Sequence, residues 1–393
     1  MTDVRILAML LTLCVGTFVA TSSGSALAPF LRLIASDLHT DLARVAHLFG
    51  FMSVTWGTAS LCAGFVTDRI GRKKVLVIAL AMLGVARVFF ANAQSYPAIV
   101  AWQMVSGASG GAFMGTVFAT VSDHVLPAKR GRSLSWIITG QSLSLLMGVP
   151  LITWLGSVAG WRGGLAAHGA VTVACAILVW WAVPKSAAVH HEPHRIKVPL
   201  RQLLQPRLLA FLMAGTTERV CFALVGMFIP AYLQHVYAVE LQELAVALAL
   251  IASGTLAGNL VGGRLADAAR SRSWVFAWSS LGTAVVAAPT FVWHGGLAAS
   301  VALGFLYSFV NALGRPSLLA TLSDVPSELR GALFGIQIAT ASVGWLLAAS
   351  VGAVLIAASE FAGLGVLAAG VALLGAALAW ASDKGIKGTS RAG

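Results

Sequence analysis

The chain reads Gly64-Phe65-Val66-Thr67-Asp68-Arg69-Ile70-Gly71-Arg72-Lys73-Lys74 between two long apolar runs. Gly71 permits a sharp reversal of the backbone, and Asp68 can cap a helix or pair with an arginine. The apolar runs cover residues 43–66 and 75–93. Each is long enough to cross about 30 Å of hydrocarbon, which takes roughly 20 helical residues. We therefore predict a tight polar turn between two membrane-spanning helices.

Apolar runs separated by short polar breaks continue along the whole chain. Its 393 residues are 58% hydrophobic and 10% charged, with a mean hydropathy of +0.86, which excludes a water-soluble domain. The sequence predicts an all-α membrane protein of about twelve transmembrane helices. The predicted spans are 6–30, 43–66, 75–93, 97–121, 133–156, 164–183, 208–235, 242–263, 274–293, 297–322, 331–357 and 361–381. The apolar run at the N-terminus is too long for a signal peptide and is predicted to be the first span.

The net charge of +12 comes from short basic clusters between the spans, which argues against a nucleic-acid partner. With the N-terminus in the cytoplasm, about 20 of the Lys and Arg residues fall on that side and about three on the other. The positive-inside rule then predicts that both termini and the linker 185–207 are cytoplasmic.

Cysteine and histidine positions predict no metal site and no disulfide framework. The four cysteines all lie inside apolar stretches, at Cys14, Cys62, Cys175 and Cys221. Three histidines occur in the polar linker, at His190, His191 and His194. Because no acidic or cysteine ligands accompany them, a solvated loop is preferred over a metal-binding tract.

An internal repeat divides the chain in two. Gly64–Asp68 is echoed by Gly263–Asp267, and Thr120–Asp123 is echoed by Thr321–Asp324, each roughly 200 residues later. Parallel repeats of this kind are a feature of secondary transporters. We predict an N-terminal six-helix bundle over 1–184, a linker over 185–207, a C-terminal six-helix bundle over 208–382 and a tail over 383–393.

The segment 64–74 resembles the G-x-x-x-D-R-x-G-R-R/K signature of the major facilitator superfamily, which also follows the second span. The resemblance implies two six-helix bundles related by pseudo-two-fold symmetry that work by alternating access. It implies a gate latch for the outward-open state, formed by Gly64, Asp68, Arg69, Gly71 and Arg72. The second copy keeps Gly263 and Asp267 but reads Asp267-Ala268-Ala269-Arg270, so a latch there is predicted to be weaker.

Span five carries small residues and a proline, which permit close helix packing and a bend. They are Gly140, Gly148, Pro150 and Gly156, and Gly160-Trp161-Arg162 follow. This run is similar to the glycine-proline motif of the superfamily's drug and sugar exporters, although Ile152 and Thr153 replace the usual small residues. Ordinary helix packing is the alternative interpretation. The resemblance implies export.

Only one of the 14 acidic residues is predicted to lie well inside a span. Glu218 stands ten residues after Leu208, which is about 15 Å along a helix. Arg315 is expected at a similar depth in span ten, and Arg219 points about 100° away from Glu218. A carboxylate that alternates between hydrated and paired surroundings can bind and release a proton. Glu218, Arg315, Arg219 and Arg87 are thus the proton-coupling candidates, and a static ion pair is the alternative.

In this superfamily, spans one, four, seven and ten line the central cavity. The resemblance also calls for an arginine in span four of exporters, where this chain has Gln103, so Arg315 or Arg87 is the candidate substitute. Polar residues on the cavity-lining spans are candidate solute contacts, with helix packing as the alternative for each. They are Ser22, Ser25, Trp102, Gln103, Tyr232, Tyr307 and Asn311.

The leading functional hypothesis is secondary active export of a small molecule such as a drug, sugar or metabolite, by proton antiport. Uptake by symport or facilitated diffusion is the alternative. The sequence shows neither clustered catalytic groups nor an ATP-binding P-loop, so we predict no enzyme activity and no cofactor beyond an ion gradient. The expected partners are a small-molecule substrate and the lipid bilayer, for a monomer in a bacterial inner membrane.

Overall fold

The computed structural model describes residues 3–125, 130–184, 206–323 and 327–383, and every regular element within these ranges is a helix. Eleven helical segments there are long and apolar enough to cross a membrane. They are Arg5–Asp37, Leu42–Ile70, Arg72–Asn92, Tyr96–Val121, Trp136–Ala182, Leu208–Tyr237, Leu241–Ala268, Arg272–Val292, Leu297–Leu322, Ile336–Ser359 and Ala362–Ser382. The predicted boundaries agree with these to within about five residues, except that the first segment ends at Asp37, seven residues beyond its predicted end. The all-α prediction is confirmed.

The longest segment accounts for the difference between eleven segments and the predicted twelve spans. Trp136–Ala182 contains 47 residues, which would extend about 70 Å as one helix, more than twice the hydrocarbon thickness. Gly160 interrupts it with a φ of 72° and a ψ of 166°, a left-handed conformation that favours glycine. The segment therefore contains spans five and six, which meet at Gly160.

The helix bounds of the two halves follow the predicted spans. The first half contains α1 (Asp3–Ser25), α2 (Leu31–Asp37), α3 (Leu42–Ile70), α4 (Arg72–Asn92), α5 (Tyr96–His124), α6 (Arg130–Leu143) and α7 (Val149–Ala182). The second half contains α8 (Pro206–Tyr237), α9 (Leu241–Ala268), α10 (Arg272–Val292), α11 (Leu297–Leu313), α12 (Arg315–Ser323), α13 (Ser327–Ser359) and α14 (Ala362–Asp383). A 3-10 turn, Ala28–Phe30, joins α1 to α2, and a π-helical turn, Ser144–Gly148, joins α6 to α7.

The chain forms two compact units. The first is Met1–Glu192 with Glu240–Ala249, and the second is Pro193–Val239 with Leu250–Gly393. The bundle boundaries 1–184 and 208–382 stay a prediction. Most of the predicted linker, and the tail from residue 384, lie outside the described residues.

Glycines allow neighbouring spans to touch through their backbones within each unit. In the first unit, a Cβ on Gly107 or Gly111 of span four would collide with a backbone carbonyl of span two, at Met52 or Trp56. In the second, Gly258 of span eight packs in the same way against the Phe309 carbonyl of span ten. Small residues at such contacts are typical of membrane helices, because van der Waals packing drives their association.

The outward faces of the helices are apolar. Val158 is 73% exposed, Val285 76% and Trp181 79%. Large apolar side chains that water would surround in a soluble protein are instead expected to contact lipid here. Polar and charged side chains deep in the spans are buried within the units, and these positions define the candidate site.

Candidate transport site

Glu218 lies inside span seven, and its side chain is 3% exposed. Nε of Arg219 donates to Oε2 of Glu218 at 2.6 Å, and NH2 of Arg219 donates to Oε1. NH1 of Arg315, from span ten, lies 3.5 Å from the same Oε2. The structure therefore holds the carboxylate between two guanidinium groups from two spans.

The predicted direction of Arg219, away from Glu218, is wrong for its side chain. Successive Cα–Cβ bonds do diverge by about 100° in a helix. The arginine side chain is long enough to bend back along the helix surface, and its guanidinium passes over the Phe222 ring at 4.4 Å from the centroid. The two neighbours thus form a forked ion pair, the geometry in which arginine binds carboxylates most strongly.

Several buried polar atoms of spans ten and eleven lack hydrogen-bond partners among the described residues. They include Oδ1 of Asn311, NH1 of Arg315 and Oε1 of Gln337. Gln337 of span eleven packs against Gly215, three residues before Glu218. Asn311 and Arg315 lie one turn apart on span ten. The Glu218 centre, defined as Glu218 with Arg219 and Arg315, thus includes one guanidinium nitrogen without a hydrogen bond to a described residue, and Asn311 and Gln337 carry unpartnered oxygens on spans ten and eleven.

Arg87 forms a second buried centre, in the first unit. Its side chain is fully buried in span three. Nε donates to Oγ of Ser23 at 2.6 Å, and NH1 donates to Oε1 of Gln103 at 2.9 Å. NH2 donates to the Ser23 carbonyl at 2.5 Å and approaches Sδ of Met52 at 3.8 Å. The Arg87 centre thus joins spans one to four through neutral acceptors.

At the position where the exporter resemblance calls for an arginine, Gln103 instead accepts a hydrogen bond from one. Its Oε1 accepts from Arg87, while its Nε2 lies 3.2 Å from Sδ of Met52. The cation next to Gln103 thus belongs to span three, and its role as a substitute for the span-four arginine of exporters stays a prediction. The sequence identified Arg87 as a candidate but carried no signal for Met52.

The predicted latch residues occupy the end of span two and the start of span three. Gly71 ends α3 with a φ of 88°, as the turn prediction requires, and Arg69 covers the Phe65 ring at 4.0 Å. NH1 of Arg72 pairs with Oδ2 of Asp123, from the end of span four, at 2.7 Å. Asp68 is exposed and forms no ion pair within the described ranges. Sequence reasoning identified Asp123 only as a landmark of the repeat.

The second copy of this motif differs. Asp267 and Arg270 are both exposed at the end of span eight, and neither forms an ion pair with a described residue. Gly64 and Gly263 have open space where a Cβ would point. Asp324, the repeat counterpart of Asp123, lies outside the described residues.

Span five packs on span one at each of its motif glycines. A Cβ on Gly140 would collide with the Cys14 carbonyl, and a Cβ on Gly148 with the Ser22 hydroxyl. Gly156 faces the Phe30 ring. The π-helical turn Ser144–Gly148 ends two residues before Pro150, where the missing backbone donor permits a changed hydrogen-bond register.

The remaining solute-contact candidates form hydrogen bonds or packing contacts with residues of their own unit. Hydroxyl groups of Tyr232 and Tyr307 donate to the backbone carbonyls of Trp293, at 3.2 Å, and Cys221, at 3.0 Å. Trp102 stacks on the half-exposed Phe89 ring, with centroids 4.7 Å apart.

Ser22 and Ser25 are buried on span one, where the Ser22 hydroxyl donates to the Phe18 carbonyl at 2.7 Å. Only Asn311, among the candidates in the second unit, keeps an unpartnered polar atom within the described residues.

A twelve-span chain with buried charged centres has the architecture of a solute carrier. The family model described as Major Facilitator Superfamily matches residues 13–269 and 219–390. The chain belongs to the Major Facilitator Superfamily. It is therefore a multi-pass membrane transporter of small molecules and not an enzyme.

Two individual relatives support this family assignment, each at less than 30% sequence identity. The Inner membrane transport protein YdhP of Escherichia coli is 24% identical over 370 residues, covering 93% of this chain and 94% of that protein. A Chloramphenicol resistance protein of Streptomyces lividans is 29% identical over 247 residues, covering 60% of this chain and 61% of that protein.

Among solved structures, a D-xylose-proton symporter gives a TM-score of 0.79 at 14% identity, covering 96% of this chain and 97% of the other. At this identity, the structural similarity establishes the fold alone.

Proposed function

We propose that this superfamily member couples the transport of a small organic molecule to protons, with Glu218 as the group that carries the proton. The observation that supports this proposal is a buried carboxylate between two arginines from spans seven and ten. An ionisable group in a membrane span is costly to bury, so its presence favours a functional role. When the guanidinium groups are displaced, the carboxylate becomes able to accept a proton.

The proposed mode is export in exchange for protons. The glycine-proline motif of span five, which packs on span one, resembles that of exporters. The relative from Streptomyces lividans is named for resistance to chloramphenicol, a function consistent with export. In an antiporter, proton and solute binding oppose each other, so a neutral or cationic solute would compete with the proton at Glu218.

Proton symport is the second candidate, and the composition of the Glu218 centre favours it. Two arginines face one carboxylate, so the site repels cations and attracts anions. An anion and a proton would bind together at such a site, because each reduces the charge imbalance that the other creates. The charge of the solute therefore distinguishes the two modes.

A flux experiment tests proton coupling through Glu218. A solute is first identified by thermal shift on the purified protein, with chloramphenicol included in the screen, because a ligand that binds the folded state raises the unfolding temperature. In proteoliposomes, Glu218→Gln is expected to abolish accumulation driven by a pH gradient and to preserve exchange of labelled for unlabelled solute. The amide keeps the shape of the side chain but carries no titrating proton.

Matched controls make this result interpretable. Glu243→Gln changes a carboxylate near the start of span eight and should leave driven accumulation unchanged. If Glu218→Gln accumulates solute like the unaltered protein, Glu218 does not carry the proton and the proposal is wrong.

A further inference from the structure

We propose that the transported solute is an organic anion whose carboxylate binds the guanidinium of Arg315 beside Glu218. This inference rests on the proposed proton coupling through Glu218, because it names the substrate class of the same site, and it selects symport over antiport. It starts from the charge of the Glu218 centre. Two arginines and one carboxylate leave an excess of one positive charge when Glu218 is ionised. The other acidic side chains described in the second unit, at Asp267 and Glu360, lie at helix ends.

The two arginines are not equivalent. Arg219 is 9% exposed, and its Nε and NH2 both donate hydrogen bonds to the carboxylate of Glu218. Arg315 is 31% exposed, and its NH1 lies 3.5 Å from Oε2 of Glu218. That nitrogen is buried and forms no hydrogen bond with any described residue. Arg315 therefore has a partly exposed side chain that is bound less tightly to Glu218 than Arg219 is.

A guanidinium fork selects for planar carboxylates. Two parallel N–H···O bonds to a carboxylate give both binding energy and orientation, which a neutral amide or hydroxyl cannot match. The unpartnered amide oxygens of Asn311 and Gln337 are suited to accept hydrogen bonds from the remaining polar groups of a solute. The site thus combines one strong anion contact with adaptable neutral contacts.

Anion binding at Arg315 would favour protonation of Glu218. The solute carboxylate and Glu218 would share one guanidinium, and two carboxylates in one site favour protonation of one of them. A proton alone would leave two arginines without a counterion, whereas a proton with an anion restores the original net charge. The geometry therefore favours co-transport, the second of the two proposed modes, and disfavours uncoupled proton leak.

The remaining titratable groups around Glu218 do not change the expected effect, which is that anion binding favours protonation of Glu218. Tyr307 and Cys221 are the neutral neighbours that interact electrostatically with the carboxylate. Spans eleven and twelve contribute no titratable side chain over the described residues 336–359 and 362–382. Proton binding in this centre is thus governed by Glu218, Arg219 and Arg315.

Benzoate and benzamide test the inference, because they share size and shape and differ in charge. Their binding to the purified full chain is measured by thermal shift between about pH 6 and about pH 8. Benzoate is expected to stabilise the protein and benzamide is not. The apparent affinity for benzoate should fall as the pH rises, by up to about tenfold per pH unit if one proton accompanies each anion.

Variants separate the anion contact from the proton. In Glu218→Gln, Arg315 no longer faces a competing carboxylate, so benzoate should bind at least about tenfold more tightly at high pH, equivalent to about 1.4 kcal/mol. The pH dependence should disappear. Arg315→Gln should abolish benzoate binding, and Arg315→Lys, which keeps the charge without the fork, should weaken it. Arg32→Gln, which removes an exposed arginine, should bind benzoate normally.

The inference is overturned if benzamide stabilises the protein as well as benzoate does, or if neither does. It is also overturned if folded Arg315→Gln or Arg315→Lys binds benzoate normally, or if Glu218→Gln leaves its affinity and pH dependence unchanged. These outcomes are distinct from failure of the proposed function, which is measured as solute accumulation in proteoliposomes. Accumulation that depends on Glu218 while benzoate and benzamide bind equally would overturn the anion inference alone.

Discussion

The Arg87 centre and the Glu218 centre both bury arginine inside the spans, but they compensate its charge differently. Arg87 donates to a serine hydroxyl, a backbone carbonyl and a glutamine amide. Arg219 and Arg315 instead share one carboxylate. Neutral acceptors do not titrate, so these hydrogen bonds of Arg87 do not depend on a proton bound by the acceptor. A carboxylate can change its charge, so the second centre is able to respond to protons while the first has the features of a fixed link between helices.

The largest expected losses of stability follow when each centre loses its central charged member. Glu218→Leu leaves two arginines without their counterion and is expected to cost about 3 to 5 kcal/mol. Arg87→Leu removes the charge itself and leaves three neutral acceptors, each costing about 1 to 3 kcal/mol if it stays unsatisfied. Thermal unfolding in detergent measures both losses, with Arg32→Leu as an exposed control. A loss in Glu218→Leu no larger than that in Arg32→Leu would show that the carboxylate does not compensate the two arginines.

A smaller effect is expected from the neutral partner of Arg87. Gln103→Leu removes an acceptor from a fully buried guanidinium, and hydrogen bonds to charged groups contribute about 1.5 to 3 kcal/mol. The unfolding temperature should fall accordingly. Asn92→Leu is a matched control, because it removes an exposed amide from span three. Unchanged stability of Gln103→Leu would mean that other acceptors compensate, and the fixed-link interpretation of the Arg87 centre would fail.

The smallest effect is expected at the latch, where the two copies of the repeat also differ. The Arg72–Asp123 pair is partly exposed, with side chains 23% and 35% accessible. Such pairs contribute about 0.2 to 1 kcal/mol, and a double-mutant cycle with Arg72→Gln and Asp123→Asn measures the coupling. The corresponding cycle with Asp267→Asn and Arg270→Gln should give none. Equal coupling in both copies would remove this difference between the halves.

Several features of the site could be predicted from the sequence because they depend on local properties, namely the position of a residue along a helix or the residue type at a turn. Glu218 was identified as the deep carboxylate from its distance to the start of its span, and Arg315 from its depth in span ten. Gly71 was identified as the turn residue, and its positive φ is observed. The two depth inferences require only the helical rise and the hydrocarbon thickness, and the turn inference requires only the conformational freedom of glycine.

The contacts between charged side chains and their partners were harder to predict from the sequence, because they depend on long, flexible side chains and on helix packing. Arg219 bends back to Glu218 although its Cβ points elsewhere. Arg72 pairs with Asp123, and not with the neighbouring Asp68, because the end of span four lies close to the turn at Gly71. Met52 approaches Arg87 with an apolar side chain that no sequence pattern connects to a cation.

The sequence by itself determined that this protein crosses a membrane about twelve times and that its acidic residues, with one exception, lie in loops or near the ends of spans. Hydrocarbon imposes that condition on every stretch of about 20 residues separately, so it is visible without knowing the neighbours. Only the tertiary structure decided which charges meet. Arg87 and Ser23, which bond at 2.6 Å, are 64 positions apart in the chain. A hydrogen bond forms only within about 3 Å, and that proximity is created by the packing of separate helices.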